Sequence, residues 1–345
     1  MKDYTTPRIS IIICLYNAKN FIETCLDSIF NQTFQSFEII VIDDRSVDGS
    51  YELVREKYCV ESGEKFDPRI RIFRNVKNLN SNCVYNMAFA LSSESEYIYF
   101  MDHDDALLPQ FLEILYDAAE KTGADSVHYN AYFESKDSNF KLEDDIDVDV
   151  FPAYHGKAPS FLEPSPITRL RPYYLSPVVW NKITRRKYFM DGTIDALVPD
   201  AFPGDNFLFL QEMCFLRKIL VIDGCQIVYR KHPDSTMAMS PENKISEYLK
   251  TLPTALQIVN NCLSSDRLIN PISDAEKLLI KHMFFIRQFN TFVYSPSLGI
   301  DDVKFDRLVT ELFSKPYMHE PEIMALLLEL LRLFRIDAMN SSTKS

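Results

Sequence analysis

Three observations predict an α/β fold with a mainly parallel sheet flanked by helices. Short apolar runs alternate with stretches of helical periodicity, the runs are rich in β-branched and aromatic residues, and two of them end in paired carboxylates. The run Ile9-Ser10-Ile11-Ile12-Ile13 reads as a buried parallel strand, and Phe21, Ile22, Cys25, Leu26 and Ile29 follow with helical spacing. Residues 37–42 form the next apolar run and stop at Asp43-Asp44. A helix over 51–58, a strand over 70–73 and a helix placing Val84, Met87, Ala88 and Leu91 on one face come next. A strand over 97–101 leads to a helix after Pro109, with Phe111, Leu112, Leu115 and Ala118 inward, and then to a strand-like run over 126–132. This alternation implies right-handed crossovers. Ligands of such sheets sit beyond the strands' carboxyl ends, where Asp43, Asp44, Asp102 and Asp104 fall.

Periodicity fades from 134 to about 166, which predicts a mobile loop or irregular insertion. Aromatic and basic residues crowd 180–189, a helix is expected over 207–216, and a strand interrupted at Gly224 over 220–229. The chain looks helical from 245 onward. One apolar stripe holds Leu249, Leu252, Leu256 and Val259, and a second holds Ile323, Leu326, Leu327, Leu330, Leu331 and Phe334. These stripes could pack on the main domain, join two subunits as a homodimer, or rest on a membrane as a peripheral contact. Mixed Glu and Arg on the polar side favour the first two.

The 345 residues exceed one typical core, so a large domain with a smaller appendage is expected. A net charge of -12 argues against nucleic acid as a partner, since duplex binding needs a basic face. Seven cysteines without metal-type pairing suit a reducing cytoplasm, and no apolar stretch approaches the ~20 residues that span a bilayer, so neither secretion nor an anchor is expected. With only 8 glycines, a glycine-rich phosphate cradle is not expected, and no Walker-type, nucleophile-elbow or His-Glu-x-x-His motif occurs.

Chemistry concentrates at Met101-Asp102-His103-Asp104-Asp105, directly after the apolar run. At strand spacing Asp102 and Asp104 project to one side, where two hard oxygen ligands can hold one Mn²⁺ or Mg²⁺ that grips a diphosphate. The acidic stretch Asp145 to Asp149 repeats this spacing but follows no expected strand, and reads as a solvated loop. Asp43-Asp44 could accept from a nucleobase or ribose, or cap the next helix. Asp205, in Gly204-Asp205-Asn206, could cap a helix or serve as the base that activates a sugar hydroxyl. His232 could complete a metal shell, with Arg230 and Lys231 facing a diphosphate, or lie in a surface turn. Lys182, Arg185, Arg186 and Lys187 could meet phosphate or line a solvated helix face.

Residues 9–17, Cys25-Leu26-Asp27-Ser28-Ile29 with Asn31-Gln32-Thr33, residues 38–44, 46–50 and 97–105 together resemble, in order and spacing, family 2 of the inverting glycosyltransferases with the GT-A fold. The resemblance covers roughly residues 8–132. It implies a nucleotide-diphospho-sugar donor with UDP favoured, a divalent cation, a saccharide or lipid-linked saccharide acceptor, and inversion at the anomeric carbon. Residue by residue it implies base contact at Asp44 beside Cys14, ribose and metal contact at Asp102 and Asp104, an accessory acid at Asp105, a catalytic base at Asp205, and a metal-side histidine at His232. Tyr16, Asn17, Asp43 and His103 fall within the matched donor-binding motifs. Tyr85 stands where the family often carries an Arg that approaches the donor, and Asn82 or Tyr85 could replace it with neutral hydrogen bonds. Residues 1–240 are then expected to be the GT-A domain (1–132 binding nucleotide and metal, 133–240 receiving acceptor) and 241–345 a helical accessory region. The setting implied is bacterial surface-polysaccharide or glycolipid assembly at the inner face of the cell membrane. A sugar-phosphate nucleotidyltransferase and a non-catalytic nucleotide-sugar-binding protein are the alternatives.

Overall fold

The computed structural model describes residues 6–137, 139–141, 147–152, 160–170, 176–195, 204–233, 235, 241–293 and 325. In chain order the elements are β1 (Ile9–Leu15), α1 (Ile22–Phe30), β2 (Phe37–Asp43), α2 (Ser50–Val54, prolonged by a π-turn at Arg55–Cys59), β3 (Ile70–Arg74), α3 (Ser81–Leu91), β4 (Tyr97–Asp102), β5 (Ala106–Leu107), α4 (Phe111–Thr122), β6 (Ser126–Tyr129) and β7 (Ala131–Ser135). There follow β8 (Val148–Pro152), β9 (Ser160–Phe161), α5 (Pro166–Arg169), β10 (Lys182–Arg185), α6 (Lys187–Met190), α7 (Gly204–Phe215), β11 (Ile219–Ile222), β12 (Ile227–Arg230), α8 (Pro241–Leu263) and α9 (Asp274–Val293).

Strands β3-β2-β1-β4 run parallel, as expected for right-handed crossovers through α1, α2 and α3. Every residue of β1 and β2 is buried, the signature of parallel strands covered on both faces. The second half departs from a purely parallel sheet. β10 enters antiparallel between β4 and β6, β11 lies parallel to β6, and β9 closes the edge antiparallel. A second sheet, in the order β5-β12-β7-β8, packs beyond the end of β4.

Two apolar runs that read as single strands each divide between the sheets. The run over 126–132 breaks at Asn130 into β6 and β7, and the run over 220–229 breaks around Gly224 into β11 and β12. One side chain pins both breaks: Asn130 Oδ1 accepts from the Gly224 amide at 2.9 Å, and its Nδ2 donates to Asp223 at 2.7 Å. Gly224 has φ +138°, a conformation that side chains rarely adopt. Within 134–166 the structure holds β8, where irregular chain was expected. Asp147 and Asp149 are exposed beside it and pair with Lys136, whereas Asp145 and Ile146 lie outside the described residues.

The basic cluster divides between a buried cation, Lys182, and three more accessible ones, of which Lys187 is exposed on α6. Lys182 lies on β10, 2% exposed, and ion-pairs with the wholly buried Glu212 of α7. Thr184 donates to the other Glu212 oxygen at 2.7 Å. Arg185, Arg186 and Lys187 lie over the rings of Tyr97, Phe89 and Tyr188. A buried guanidinium anchors the far end of α7. Arg169 donates to the carbonyls of Leu162, Glu163, Met213, Leu216 and Arg217, and meets the unpaired C=O groups that every helix terminus leaves.

His128 joins this buried network through Ser126, whose hydroxyl is 3.0 Å from its Nε2. Burial, then the charges of Lys182 and Arg169, push its pKa well below 6.5. The unfolded chain therefore takes up a proton near pH 6.5 that the folded chain refuses. Stability from this group is complete above that pH and is lost as pH falls below it, by up to ~1.4 kcal/mol per pH unit. Urea unfolding from pH 7.5 to 5 is expected to show a shallower acid loss for His128→Gln than for wild type. Parallel curves would assign the acid sensitivity to other groups.

The first C-terminal stripe is used inside the molecule. Leu252, Leu256 and Val259 of α8 are buried in the same core as α7, and Phe284 of α9 meets Phe207 of α7 with ring centroids 5.5 Å apart. The second stripe, Ile323 to Phe334, lies outside the described residues. Among the described residues no helix is long and apolar enough to cross a membrane.

Candidate active site

Strand register sets the ends of β1, β2 and β4 level, with Leu15 opposite Asp43 and Cys14 opposite Asp102. Asp43 is buried. Its oxygens accept from the Ser46 amide at 3.2 Å and pair with Arg74 Nε at 3.0 Å. Asp44 ties β2 to the approach of α3: its carboxylate accepts from Asn75 Nδ2 (2.8 Å), the Leu79 amide (2.9 and 3.1 Å) and the Asn80 amide (3.1 Å). Three donors of the protein thus hold this carboxylate in place beside the rim. Both aspartates act on the loops that form the rim, and neither caps α2.

Strain concentrates on this rim. Among the described residues, the three non-glycine residues with positive φ are Asn17 (+48°), Arg45 (+71°) and Asn80 (+74°), each in a loop beyond β1, β2 or β3. Cross-links hold them there: Asn17 Oδ1 accepts from the Val47 amide at 2.9 Å, and Ser46 Oγ accepts from the Asn17 amide at 2.9 Å. Tyr16 is 45% exposed on the same rim. Cys14, buried below it, is kept a neutral thiol because burial and then Asp44, Asp102 and Asp43 raise its pKa.

At the end of β4 the carboxylates converge. Asp102, Asp104 and Asp105 each bring an oxygen within 4.8 Å of the others. Asp102 Oδ1 accepts from the Tyr85 hydroxyl at 2.8 Å, and His103 Nδ1 lies 2.7 Å from the Cys14 carbonyl, which fixes the backbone between the acids. His232 Nε2 meets Asp104 Oδ2 at 2.8 Å. Asp105 is wholly buried. One of its oxygens accepts from the Arg230 amide at 2.9 Å and the other has no hydrogen-bond partner, an arrangement costly to maintain without a cation. Burial and the charges of Asp104 and Asp102 push Asp105 well above the usual carboxylate range. Asp102 is raised to about 6, first by burial and then by Asp104. This set of hard oxygen donors, with one orphaned buried oxygen, fits a divalent cation.

The cluster extends to the second half of the fold through α7. Asp205 lies in its first turn, partly buried, and its negative charge is among those that raise Asp102. Gly204 beside it faces α3 so closely that a methyl group there would overlap the carboxamide of Asn82. Cys14, Asn82, Tyr85, Asp102, His103, Asp104, Asp205 and His232 therefore surround one region, and Tyr16, Asn17, Asp43 and Asp44 build its rim.

Two sequence expectations are corrected. Arg230 does not face a diphosphate. Arg230 is 1% exposed, donates Nε to the Asp104 carbonyl at 2.7 Å, and lies between the rings of Phe21 and Phe140 at 5.2 and 3.8 Å, while Lys231 pairs with Glu134. On α3 the buried face carries Asn82, Val84, Tyr85 and Ala88, with Met87 and Leu91 exposed. Tyr85 takes an inward place because Asp102 supplies its partner there, and Asn82 packs against Gly204 of α7. Sequence reasoning missed Arg230 as the support beneath Asp104 and Asp105; its position at a strand end, two residues before His232, was the available signal.

The profile described as Glycosyl transferase family 2 matches residues 10–190. Bacillus subtilis (strain 168) has a relative named as a glycosyltransferase, EpsH, which is 32% identical over 272 residues, 72% of this chain and 74% of that protein. In fold, the chain is similar to Staphylococcus aureus TarS residues 1–349, solved in complex with UDP-GlcNAc (TM-score 0.62, 18% identity, 92% of this chain and 83% of that one), and it spans 53% of the longer TarS chain. A mannosyltransferase from Pyrobaculum calidifontis, solved with GDP-Man and Mn²⁺, shares the fold at a TM-score of 0.51 and 13% identity over 95% of this chain and 86% of that one. With a mixed α/β sheet of the GT-A kind and an acidic cluster at the end of β4, the chain belongs to glycosyltransferase family 2.

Proposed function

We propose that the chain transfers a sugar from a nucleotide-diphospho-sugar, UDP-linked, to a hydroxyl of a saccharide or lipid-linked saccharide, with inversion at the anomeric carbon. The observation that most supports this reading is the cluster of Asp102, Asp104 and Asp105 at the end of β4, with Asp205 at the start of α7 near enough for its charge to act on Asp102. Asp102 and Asp104 would hold Mn²⁺ or Mg²⁺, with Asp105 completing the charge. His232, whose ring nitrogen bonds Asp104, would orient that ligand. A divalent cation in this position supplies Lewis-acid stabilisation to a departing diphosphate.

The protein's own groups perform the remaining steps. Tyr16, Asn17, Cys14 and His103 line the donor side, and Asp43 and Asp44 act through the loops they hold. Asp205 takes the proton of the acceptor hydroxyl as its oxygen bonds to the anomeric carbon, and the bond from that carbon to the diphosphate oxygen breaks on the opposite face. The charge of -12 fits this division of labour, since the cation supplies the positive charge a diphosphate requires. Surface-polysaccharide or glycolipid assembly at the inner face of a bacterial membrane is the proposed setting.

Thermal-shift titration with nucleotide sugars and Mn²⁺ is expected to single out UDP-sugars, because a ligand bound only by the folded state raises stability with its concentration. Turnover with the selected donor should release UDP. Release of pyrophosphate from a nucleoside triphosphate would instead mark a nucleotidyltransferase, and binding with no turnover or hydrolysis would mark a binding protein.

A further inference from the structure

Helix α3 touches both sides of the cleft with two side chains three residues apart, which places them as neighbours on one helical face. The Tyr85 hydroxyl donates to Asp102 Oδ1 at 2.8 Å, and the Tyr85 ring stands edge-on to Phe100 of β4 with centroids 5.2 Å apart. One turn earlier, the Asn82 carboxamide lies against the Cα of Gly204, where an added Cβ would force that side chain to shift. Gly204 has no unusual φ, so what a side chain there would disturb is the packing of the Asn82 carboxamide and not the backbone. We propose that α3 is a spacer that sets the separation of Asp102 and Asp205, with Tyr85 and Asn82 as positioning residues acting through Asp102 and through the Gly204-Asp205 backbone.

Three features make the helix stiff enough for this role. Its N-terminus is tied to β2, since Asp44 accepts from the Leu79 and Asn80 amides. Asn80, held at φ +74°, caps the first turn by accepting from the Cys83 amide at 3.2 Å. Val84 and Ala88, wholly buried, seat the opposite side of the inner face on the core. A spacer also answers a physical need. Two nearby carboxylates tend to repel, and a rigid element between them fixes their separation. Tyr85 thereby takes a role different from the charged donor contact expected at its position: a neutral hydroxyl that orients a carboxylate.

The inference rests on the glycosyl-transfer reading, and its test separates the two. Binding of UDP with Mn²⁺ to wild type, measured by calorimetry, comes first, and absence of binding would defeat both. Tyr85→Phe keeps the ring against Phe100 and removes the hydroxyl. It is expected to weaken UDP–Mn²⁺ binding and raise the donor KM about tenfold or more, the scale of a hydrogen bond to a charged group. Gly204→Ala is expected to lower kcat by up to about 10²-fold, as for a misplacement of about 1 Å, with UDP binding within about twofold of wild type. The double variant Asn82→Ala/Gly204→Ala removes the overlap and is expected to recover at least about tenfold of the kcat lost by Gly204→Ala alone. Losses that multiply in the double variant, or a Tyr85→Phe enzyme with wild-type donor KM and affinity, would overturn the spacer while leaving glycosyl transfer intact.

Discussion

Asp205→Asn is expected to lower kcat by a factor on the order of 10²–10⁴, the usual contribution of a positioned general base. At 1.36 kcal/mol per tenfold this is about 3–5 kcal/mol of barrier. Asparagine keeps the shape and a hydrogen-bonding oxygen but cannot take the acceptor's proton, so the loss should fall on turnover. UDP affinity with Mn²⁺ should stay within about twofold, because the proposed donor site lies at the end of β4 and at the rim beyond β1 and β2. A carboxylate in the first turn of a helix contributes ~0.3–1 kcal/mol through the helix dipole, which predicts only a small fall in melting temperature. Steady-state kinetics with a UDP-sugar donor, with calorimetry of UDP binding in parallel, separate these effects. Unchanged kcat would return Asp205 to the role of a helix-terminal residue and leave the reaction without its base.

The parallel half of the fold was legible because its information is local. β1, β2 and β4 are continuous apolar runs, their helices carry regular stripes, and carboxylates at the ends of such strands point to a ligand side regardless of partners. The second half was harder because its decisive contacts join residues far apart in sequence. Nothing near 126–132 announces that Asn130 will bond Gly224 and split two apolar runs between two sheets. Lys182 and Arg230 read as solvent-facing or phosphate-facing cations because burial of a charge depends on a distant partner, here Glu212 for Lys182 and the Asp104 carbonyl for Arg230. On α3 the apolar pattern favoured Met87 and Leu91, but the polar Asn82 and Tyr85 went inward, since the groups they meet lie on β4 and α7. Asp44 shows the same limit at the site: its place beyond β2 was evident, while the loop amides that occupy its oxygens were not.

The largest expected stability effect lies beneath the site, at Lys182 and Glu212. Both are almost wholly removed from solvent, and Thr184 holds the second oxygen of Glu212. Lys182→Met leaves a buried carboxylate facing apolar side chains, and breaking such a pair from one side costs about 3–5 kcal/mol. Replacing both partners removes the stranded charge, so Lys182→Met/Glu212→Leu is expected to regain most of that loss in urea unfolding, with an interaction energy far from additive. The consequence reaches catalysis through α7. Glu212 lies seven residues, about two turns, beyond Asp205, so the ion pair seats the helix that carries the proposed base. With α7 unseated, kcat should fall in Lys182→Met even at temperatures where the protein remains folded, while UDP affinity, set at β4 and the rim, should change little. Recovery of kcat together with stability in the double variant would identify seating of α7 as the function of the pair. Recovery of stability without kcat would mean that the charges themselves, through their field at the cleft, contribute to turnover.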